Sequence, residues 1–131
     1  PDDVLVMNAD DPVVARLALD APGRRVACTT APGADAGFRI ADDVLVTADG
    51  ERIAAVEDLP MRAPHDLANA LAASAAALEL GATLDGVRGA LVSATRLHHR
   101  VEPIGETQGV RFIDDSKALR AITRPSKCVT V

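Results

Sequence analysis

A run of helix-forming residues from Leu67 to Leu80 constrains the fold more than any other feature of the sequence. It predicts a helix with Asp66 as its N-cap and with Gly81 as its stop. Because the run is apolar almost all round, the helix has to be packed on several sides. The chain has only two Phe and neither Trp nor Tyr, so the core around the helix must consist of small aliphatic side chains.

The residues before this helix predict an α/β unit. Residues 4–7 and 25–29 are short apolar runs bounded by turn residues, which is typical of buried strands. Between them, residues 12–19 predict a helix that Asp10 or Asp11 can cap. A strand, a helix and a second strand in this order indicate a parallel sheet, and therefore the α/β class.

Residues 38–57 have a different pattern and predict a small antiparallel sheet. Their short β-like runs lie at residues 38–40, 44–47 and 52–56. Asp49 and Gly50, between the last two runs, are a strong hairpin signal. The acidic pair Asp42 and Asp43 is interpreted as a turn, because no neighbouring residues complete a metal site.

A boundary between two domains is predicted near residues 95–99. On its N-terminal side, a second helix begins after Thr83 and carries an apolar stripe that consists of Leu84, Val87, Leu91 and Val92. On its C-terminal side, residues 101–106 and 110–113 predict two strands joined by a short turn.

Composition and charge exclude several classes of function. A formal net charge of −5 argues against a surface for nucleic acid or for an anionic membrane, which needs clustered Lys and Arg. No apolar stretch reaches the about 18–20 residues that span a bilayer. Cys28 and Cys128 lie far apart and in no C-x-x-C pattern, which indicates a reducing compartment. We therefore expect a cytoplasmic protein that binds neither nucleic acid nor a membrane.

Length and missing motifs indicate an incomplete catalytic apparatus. At 131 residues the chain can form one compact domain or parts of two. It begins at Pro1 without an initiator Met, which favours a start within a longer protein. The sequence contains no G-x-x-x-x-G-K-[ST] motif, so the usual phosphate-binding loop is absent from it. No arrangement of a nucleophile and a base is visible either.

Asn69 is the first candidate site residue. Its carboxamide projects from the first turn of a helix that is otherwise apolar. A carboxamide has two donors and an acceptor, and can therefore pair with the edge of an adenine base. The alternative is a local capping interaction with Asp66.

The second candidate group lies at the predicted boundary and comprises His98, His99 and Arg100. An Arg that enters a strand directly after a linker can bind a phosphate through two hydrogen bonds. The alternative is a solvated linker, and two adjacent His are a weak metal signal.

The third candidate group, residues 114–118, follows the last predicted strand and reads Asp-Asp-Ser-Lys-Ala. Open α/β sheets place ligand contacts at the carboxyl ends of strands. Asp115 can accept hydrogen bonds from a ribose, and Lys117 can bind a carboxylate or a phosphate. The alternative is a polar turn.

In their order and spacing, these three groups resemble the Mur ligases. The resemblance rests on a His-x-x-x-Asn-Ala-Leu-Ala helix, a Leu-x-His-Arg-Val-Glu segment and a strand that ends in Asp-Asp-Ser-Lys-Ala, and it covers about residues 4–118. The Asp-Ser-Lys-Ala form is similar to that of the branch that adds D-glutamate to UDP-N-acetylmuramoyl-L-alanine in peptidoglycan synthesis. Relatives such as the folylpolyglutamate synthases more often have Ala-His at this point.

The resemblance implies an α/β fold and a plan of domains. Residues 1–96 correspond to the C-terminal portion of the central ATPase domain, a parallel sheet with helices. Residues 97–118 correspond to the linker and the first strands of a Rossmann-like C-terminal domain. Residues 119–131 match nothing in the family pattern and are expected to be a divergent tail.

The resemblance also implies a chemistry. ATP phosphorylates the carboxylate of UDP-N-acetylmuramoyl-L-alanine to an acyl phosphate, and the amine of D-glutamate then displaces phosphate to form an amide. Mg²⁺ bridges the phosphates, and its ligands are expected outside this chain. The implied site residues are Asn69, Arg100 and Asp115 for ATP, His99 and Lys117 for catalysis, and Ser116 and Lys117 for the D-glutamate substrate.

Three features depart from the family pattern. Asp66 stands where an Asn is common, His98 replaces a frequent Pro, and the Thr-Asn that usually follows Ala118 is absent. Because the phosphate-binding loop is also absent, the 131 residues alone are expected not to catalyse ligation. The alternatives are another Mur ligase or a folylpolyglutamate synthase-like ligase, and a non-catalytic remnant. The sequence leaves the oligomeric state open.

Overall fold

The computed structural model of the chain describes residues 3–95, 102–114 and 128–130. Two compact units divide the chain into residues 1–94 and 95–131. The strands of the first unit are β1 (Val4–Asn8), β2 (Arg24–Cys28), β3 (Arg39–Ala41), β4 (Val44–Val46) and β5 (Arg52–Ala55). Its helices are α1 (Pro12–Leu17), α2 (Pro64–Glu79) and α3 (Leu84–Val92), with a short 3-10 helix at Val56–Asp58. The strands of the second unit are β6 (Glu102–Thr107), β7 (Val110–Asp114) and β8 (Cys128–Thr130).

β1 and β2 form the parallel sheet of the first unit, with α1 as their connection, so the expected α/β fold is confirmed. Asp11 caps α1, because its carboxylate accepts the backbone N–H groups of Val13 and Val14 at 2.8 and 3.2 Å. At the far end of the two strands, Asn8 lies opposite Cys28. The carboxyl ends of β1 and β2 therefore lie side by side.

The antiparallel sheet predicted after β2 is also present, in the order β3-β4-β5. Asp42 and Asp43 form the turn between β3 and β4 with φ values of 48° and 58°. Short polar side chains tolerate this left-handed conformation, so the interpretation of the pair as a turn is confirmed. On the edge of β2 that does not pair with β1, Cys28 forms a parallel bridge with Phe38.

The first turn of α2 differs from the expectation, and the assignment of Asp66 as the N-cap is wrong. The helix begins at Pro64, with Ala63 as its N-cap. Proline suits the first helical position because its fixed φ is helical and its missing N–H has no intrahelical acceptor there. Asp66 is therefore at the third position, where its carboxylate accepts the backbone N–H of Ala63 at 3.1 Å.

The core of the first unit consists mainly of small aliphatic side chains, as the composition predicts. Leu71 and Ala75 are 0% exposed on the inward face of α2, which packs on β1 and β2. The other buried members are Val26, Cys28, Phe38, Leu45, Ile53, Ala54, Leu59 and Val87. Arg88 joins α3 to β5 through a 2.8 Å hydrogen bond from its Nε to the carbonyl of Ile53. Within the described ranges, no helix is both long enough and apolar enough to cross a bilayer.

The second unit contains a three-stranded sheet. β6 and β7 form an antiparallel hairpin, and the φ values of Gln108 and Gly109 in its turn are 49° and 73°. β8 pairs with β7 in parallel, with Val129 opposite Phe112. Residues 128–130, which belong to the segment expected to diverge from the family, thus form a strand of this sheet.

Candidate functional site

A cavity of about 100 Å³ lies in the first unit, at the carboxyl ends of β1 and β2 and beside the N-terminal half of α2. Its lining residues are Asn8, Asp10, Cys28, Thr29, Thr30, Ala68, Asn69 and Ala72. The crevice beyond the carboxyl ends of parallel strands is where open α/β sheets usually bind ligands. We refer to this feature as the strand-end cavity.

Asn69 lines the strand-end cavity from α2. Ala68 and Ala72 share its face of the helix, whereas Leu71 faces the core. Within the described residues, the Asn69 side chain makes no hydrogen bond, so the alternative of a capping interaction with Asp66 is not observed. The Asn69 carboxamide therefore presents both donors and its acceptor at the edge of an apolar wall.

Asp10 joins the two strands at the rim of the cavity. Its carboxylate accepts hydrogen bonds from the hydroxyl of Thr29, from the backbone N–H of Thr30 at 2.7 Å and from the Thr30 hydroxyl at 2.8 Å. Its own backbone N–H donates to Oδ1 of Asn8 at 2.9 Å. Asp10 thereby holds Asn8 at the end of β1 and Thr29 and Thr30 at the end of β2.

These hydrogen bonds determine the charge state of Asp10. Burial acts to raise the pKa of the Asp10 carboxyl, but the hydrogen bonds from Thr29 and Thr30 favour its ionised form. The net effect holds the pKa of Asp10 below its ordinary value. The rim of the strand-end cavity therefore carries a negative charge at neutral pH.

Replacing Asp10 by Asn is expected to lower the free energy of unfolding at pH 7 by about 1 kcal/mol, a value reduced for the exposure of the carboxylate. A group whose pKa is lower in the folded state contributes stability above its unfolded pKa of about 3.9 and loses it as the pH falls through the folded pKa. The difference between wild type and D10N should thus be full at pH 7 and shrink below about pH 4. Urea unfolding at several pH values measures it.

The matched control for Asp10→Asn is Asp35→Asn, because Asp35 is exposed and makes no hydrogen bond within the described ranges. D35N should stay within about 0.5 kcal/mol of wild type at pH 7. An equal loss of stability in both variants, or a D10N deficit that persists unchanged in acid, would contradict the role assigned to the Asp10 carboxylate.

Cys28 forms part of the cavity floor and is 4% exposed. Burial raises the pKa of its thiol to about 11. Because only the thiolate is nucleophilic, iodoacetamide at pH 8 should alkylate Cys28 about 100-fold more slowly in the folded chain than in urea. Mass spectrometry of the peptide that contains Cys28 measures both rates, and equal rates would contradict the burial of this thiol.

Comparison with known proteins shows which enzymes the chain is similar to. The UDP-N-acetylmuramoylalanine–D-glutamate ligase of Frankia casuarinae is 39% identical over an alignment of 122 residues, with 90% of this chain and 26% of that ligase covered. The ligase of the same name from Symbiobacterium thermophilum is 36% identical over an alignment of 134 residues, with 98% of this chain and 29% of the ligase covered. A crystal structure of MurF from Acinetobacter baumannii superposes with a TM-score of 0.65 at 25% identity, covering 88% of this chain and 26% of MurF.

The chain is similar to a segment of the Mur ligases. The resemblance to Mur ligases seen in the sequence is thus confirmed. The chain spans about a quarter of the length of the Mur ligases that it matches. No protein-family model matches it.

Of the Mur ligase site residues predicted from the sequence, Asn69 lies in the part of the chain that the structure describes. The others lie outside the described residues: His99, Arg100, Asp115, Ser116 and Lys117. Over the described ranges, no group of three or more His, Cys, Asp or Glu side chains could hold a metal ion.

The sequence did not lead to the other residues around the strand-end cavity. The sequence predicts Asn8 as a turn residue and Asp10 as a turn residue or helix cap, and it does not single out Thr29 or Thr30. The available signal was the Asn-Ala-Asp-Asp segment at the carboxyl end of a predicted parallel strand, where α/β sheets place ligand contacts.

Proposed function

We propose that this chain forms the adenine-binding part of an ATP-dependent ligase that joins D-glutamate to UDP-N-acetylmuramoyl-L-alanine. The observation that carries the proposal is the position of Asn69, whose carboxamide lines the strand-end cavity and makes no hydrogen bond to the described part of the chain. Similarity to the Mur ligases supplies the reaction class. ATP and a nucleotide-linked substrate are consistent with a cytoplasmic protein.

The cavity suits the adenine end of ATP. Cys28, Ala68 and Ala72 supply small, mostly apolar surfaces for the faces of a base, and Asn69 supplies a donor and an acceptor for its edge. A bidentate carboxamide pairs with the amino group and an adjacent ring nitrogen of adenine. The negative charge of Asp10 makes this rim unsuitable for the phosphates, which must extend away from it.

In the proposed reaction, ATP transfers its terminal phosphoryl group to the carboxylate of UDP-N-acetylmuramoyl-L-alanine. The amine of D-glutamate attacks the resulting acyl phosphate, and an amide and inorganic phosphate are the products. The assignments of Arg100 and Asp115 to ATP, of His99 to the reacting groups, and of Ser116 and Lys117 to D-glutamate are part of this proposal. Magnesium ligands are expected from the rest of the ligase, since no group of acidic residues within the described ranges suits the ion.

D-glutamate is favoured over other amino acids as the attacking substrate. Relatives of 32–39% identity carry the name UDP-N-acetylmuramoylalanine–D-glutamate ligase. The Asp-Ser-Lys-Ala form of residues 115–118 points to the same branch. Another Mur ligase is the second candidate, because the superposed crystal structure is that of MurF.

A hybrid ligase tests this proposal. The chain is placed in the Frankia casuarinae ligase in exchange for the matching segment, and phosphate release is measured with ATP, Mg²⁺ and UDP-N-acetylmuramoyl-L-alanine. We expect turnover that requires D-glutamate and that L-glutamate does not support. Turnover driven by a different amino acid would contradict the proposed substrate. A folded hybrid that binds ADP but has no activity would favour a non-catalytic remnant.

Lys117→Ala is the most informative substitution in that hybrid, because a lysine that binds a substrate carboxylate contributes a charged hydrogen bond. K117A should raise the KM for D-glutamate about tenfold or more. The matched control is K127A, because Lys127 is the only other lysine of the chain. The same KM for both variants would contradict the assignment of Lys117.

A further inference from the structure

The only two asparagines of the chain line the same cavity. Asn8 ends β1 and Asn69 lies on α2, so different elements bring them to the strand-end cavity. The single glutamine, Gln108, lies in the second unit. Two of the three side-chain carboxamides in 131 residues therefore meet at one small cavity.

The hydrogen bond that Asn8 makes determines which of its groups remains available. Its Oδ1 accepts the backbone N–H of Asp10 at 2.9 Å, and only the oxygen of a carboxamide can accept such a bond. Its Nδ2 group makes no hydrogen bond within the described ranges. Asn8 therefore offers N–H donors to a ligand, whereas Asn69 offers donors and an acceptor.

Asp10 holds Asn8 in this arrangement. The backbone N–H of Asp10 fixes the Asn8 oxygen, and the Asp10 carboxylate is itself fixed by hydrogen bonds from Thr29 and Thr30 at the end of β2. A side chain oriented before the ligand arrives loses less conformational freedom on binding. Asp10 is thus a positioning residue, and Asn8 is the group that it orients.

We propose that Asn8 is a second base-reading residue, whose Nδ2 donates a hydrogen bond to a ring nitrogen of the adenine. The inference rests on the proposed function and adds a residue to it. The ring nitrogens N1, N3 and N7 of adenine are acceptors, so a donor-only side chain complements them. Guanine has an acceptor oxygen in place of the amino group, so the bidentate pairing of Asn69 selects adenine. A donor from Asn8 adds to this selection if it contacts N1, because N1 carries a hydrogen in guanine, whereas N3 and N7 are acceptors in both bases.

A purely structural role for Asn8 is the competing explanation, because its oxygen also stabilises the turn at the end of β1. Asn8→Asp separates the two roles. Aspartate retains an oxygen that accepts the Asp10 N–H but has no Nδ2 donor. Asn69→Ala reports on the proposed adenine site itself, and Gln108→Ala is the matched control on a carboxamide outside the first unit.

The experiment measures dissociation constants of the 131-residue chain by ¹H–¹⁵N NMR titration with ADP and with 1-deaza-, 3-deaza- and 7-deaza-ADP. We expect N8D to raise the Kd for ADP about fivefold, as for the loss of one hydrogen bond. N8D should leave unchanged the Kd for the one analogue that lacks the contacted nitrogen. In the wild-type chain, that same analogue should bind about fivefold more weakly than ADP. This comparison does not depend on the folding of any variant.

Two results would overturn the inference while the proposed function stands. One is an unchanged Kd for ADP in N8D, and the other is an equal increase for all four nucleotides, since the added charge alone would explain it. Asn69→Ala must weaken ADP binding in either case. If ADP binds no differently to N69A and to wild type, the proposed adenine site fails as well, and with it the inference about Asn8.

Discussion

Replacing Leu71 by Ala is expected to lower the free energy of unfolding by about 3 kcal/mol. Leu71 is 0% exposed and belongs to the core cluster beneath α2. Its truncation removes apolar contacts and leaves a void, because Leu45 and Ile53 of the same core cluster are themselves completely buried, and Leu45 is held by its pairing with Ala54. Urea unfolding of the 131-residue chain measures the change.

Leu80→Ala is the matched control for Leu71→Ala. Leu80 is the C-cap of the same helix and is 89% exposed. The same change of side chain should alter the free energy of unfolding there by about 0.5 kcal/mol or less. A loss of similar size in L71A and L80A would contradict the packing of α2 on the core, and with it the surface from which Asn69 faces the cavity.

Replacing Gly37 by Ala is expected to cost about 3 kcal/mol of unfolding free energy. The φ value of Gly37 is +76°, and an added Cβ would lie 2.6 Å from the carbonyl oxygen of Ala27. That oxygen cannot move away cheaply, because it accepts the backbone N–H of Phe38 at 2.9 Å. The methyl group therefore has to break the pairing of residue 38 with β2 or distort the strand.

Gly33→Ala isolates the steric part of this effect. Gly33 has a φ of +75°, almost that of Gly37, but an added Cβ would meet nothing within 4 Å. G33A should thus cost only the backbone strain of about 1 kcal/mol. Equal losses in G33A and G37A would contradict the close approach of residue 37 to β2.

The contact at Gly37 also matters for the candidate site. Phe38 pairs with the far edge of β2, and its carbonyl accepts the backbone N–H of Thr29 at 2.9 Å. Thr29 in turn donates to Asp10 at the rim of the strand-end cavity. G37A should therefore shift the backbone NMR signals of Thr29 and Thr30, whereas G33A should leave the hydrogen bonds to Asp10 unchanged.

Local patterns in the sequence predicted most elements of the first unit, because these elements depend on near neighbours. The apolar runs around α1, the turn at Asp42 and Asp43, and the cap of α3 at Thr83 all follow from such patterns. The start of α2 was predicted incorrectly because two N-terminal signals compete within three residues. Pro64 decides the start, and Asp66 then serves at the third position of the helix.

The strand-end cavity could be predicted only in part. Asn69 was found because a carboxamide is conspicuous in the first turn of a helix that is otherwise apolar. The bonds from Thr29 and Thr30 to Asp10 join residues about 20 positions apart, and they exist only because β1 and β2 pair in one particular register. Asn8 and Asp10 had a sufficient local explanation as turn residues, so nothing in the sequence required a second role for them.

A titration of the 131-residue chain with ADP, followed through its side-chain amide signals in ¹H–¹⁵N NMR spectra, shows directly whether adenine binds in the strand-end cavity. The chain has only three side-chain carboxamides, at Asn8, Asn69 and Gln108, so the three signal pairs are readily assigned. Adenine binding in the strand-end cavity predicts that millimolar ADP shifts the Asn69 pair, that GDP shifts it less, and that Gln108 stays unchanged. An Asn69 pair that does not move, or that moves only together with Gln108, would contradict an adenine site in this cavity.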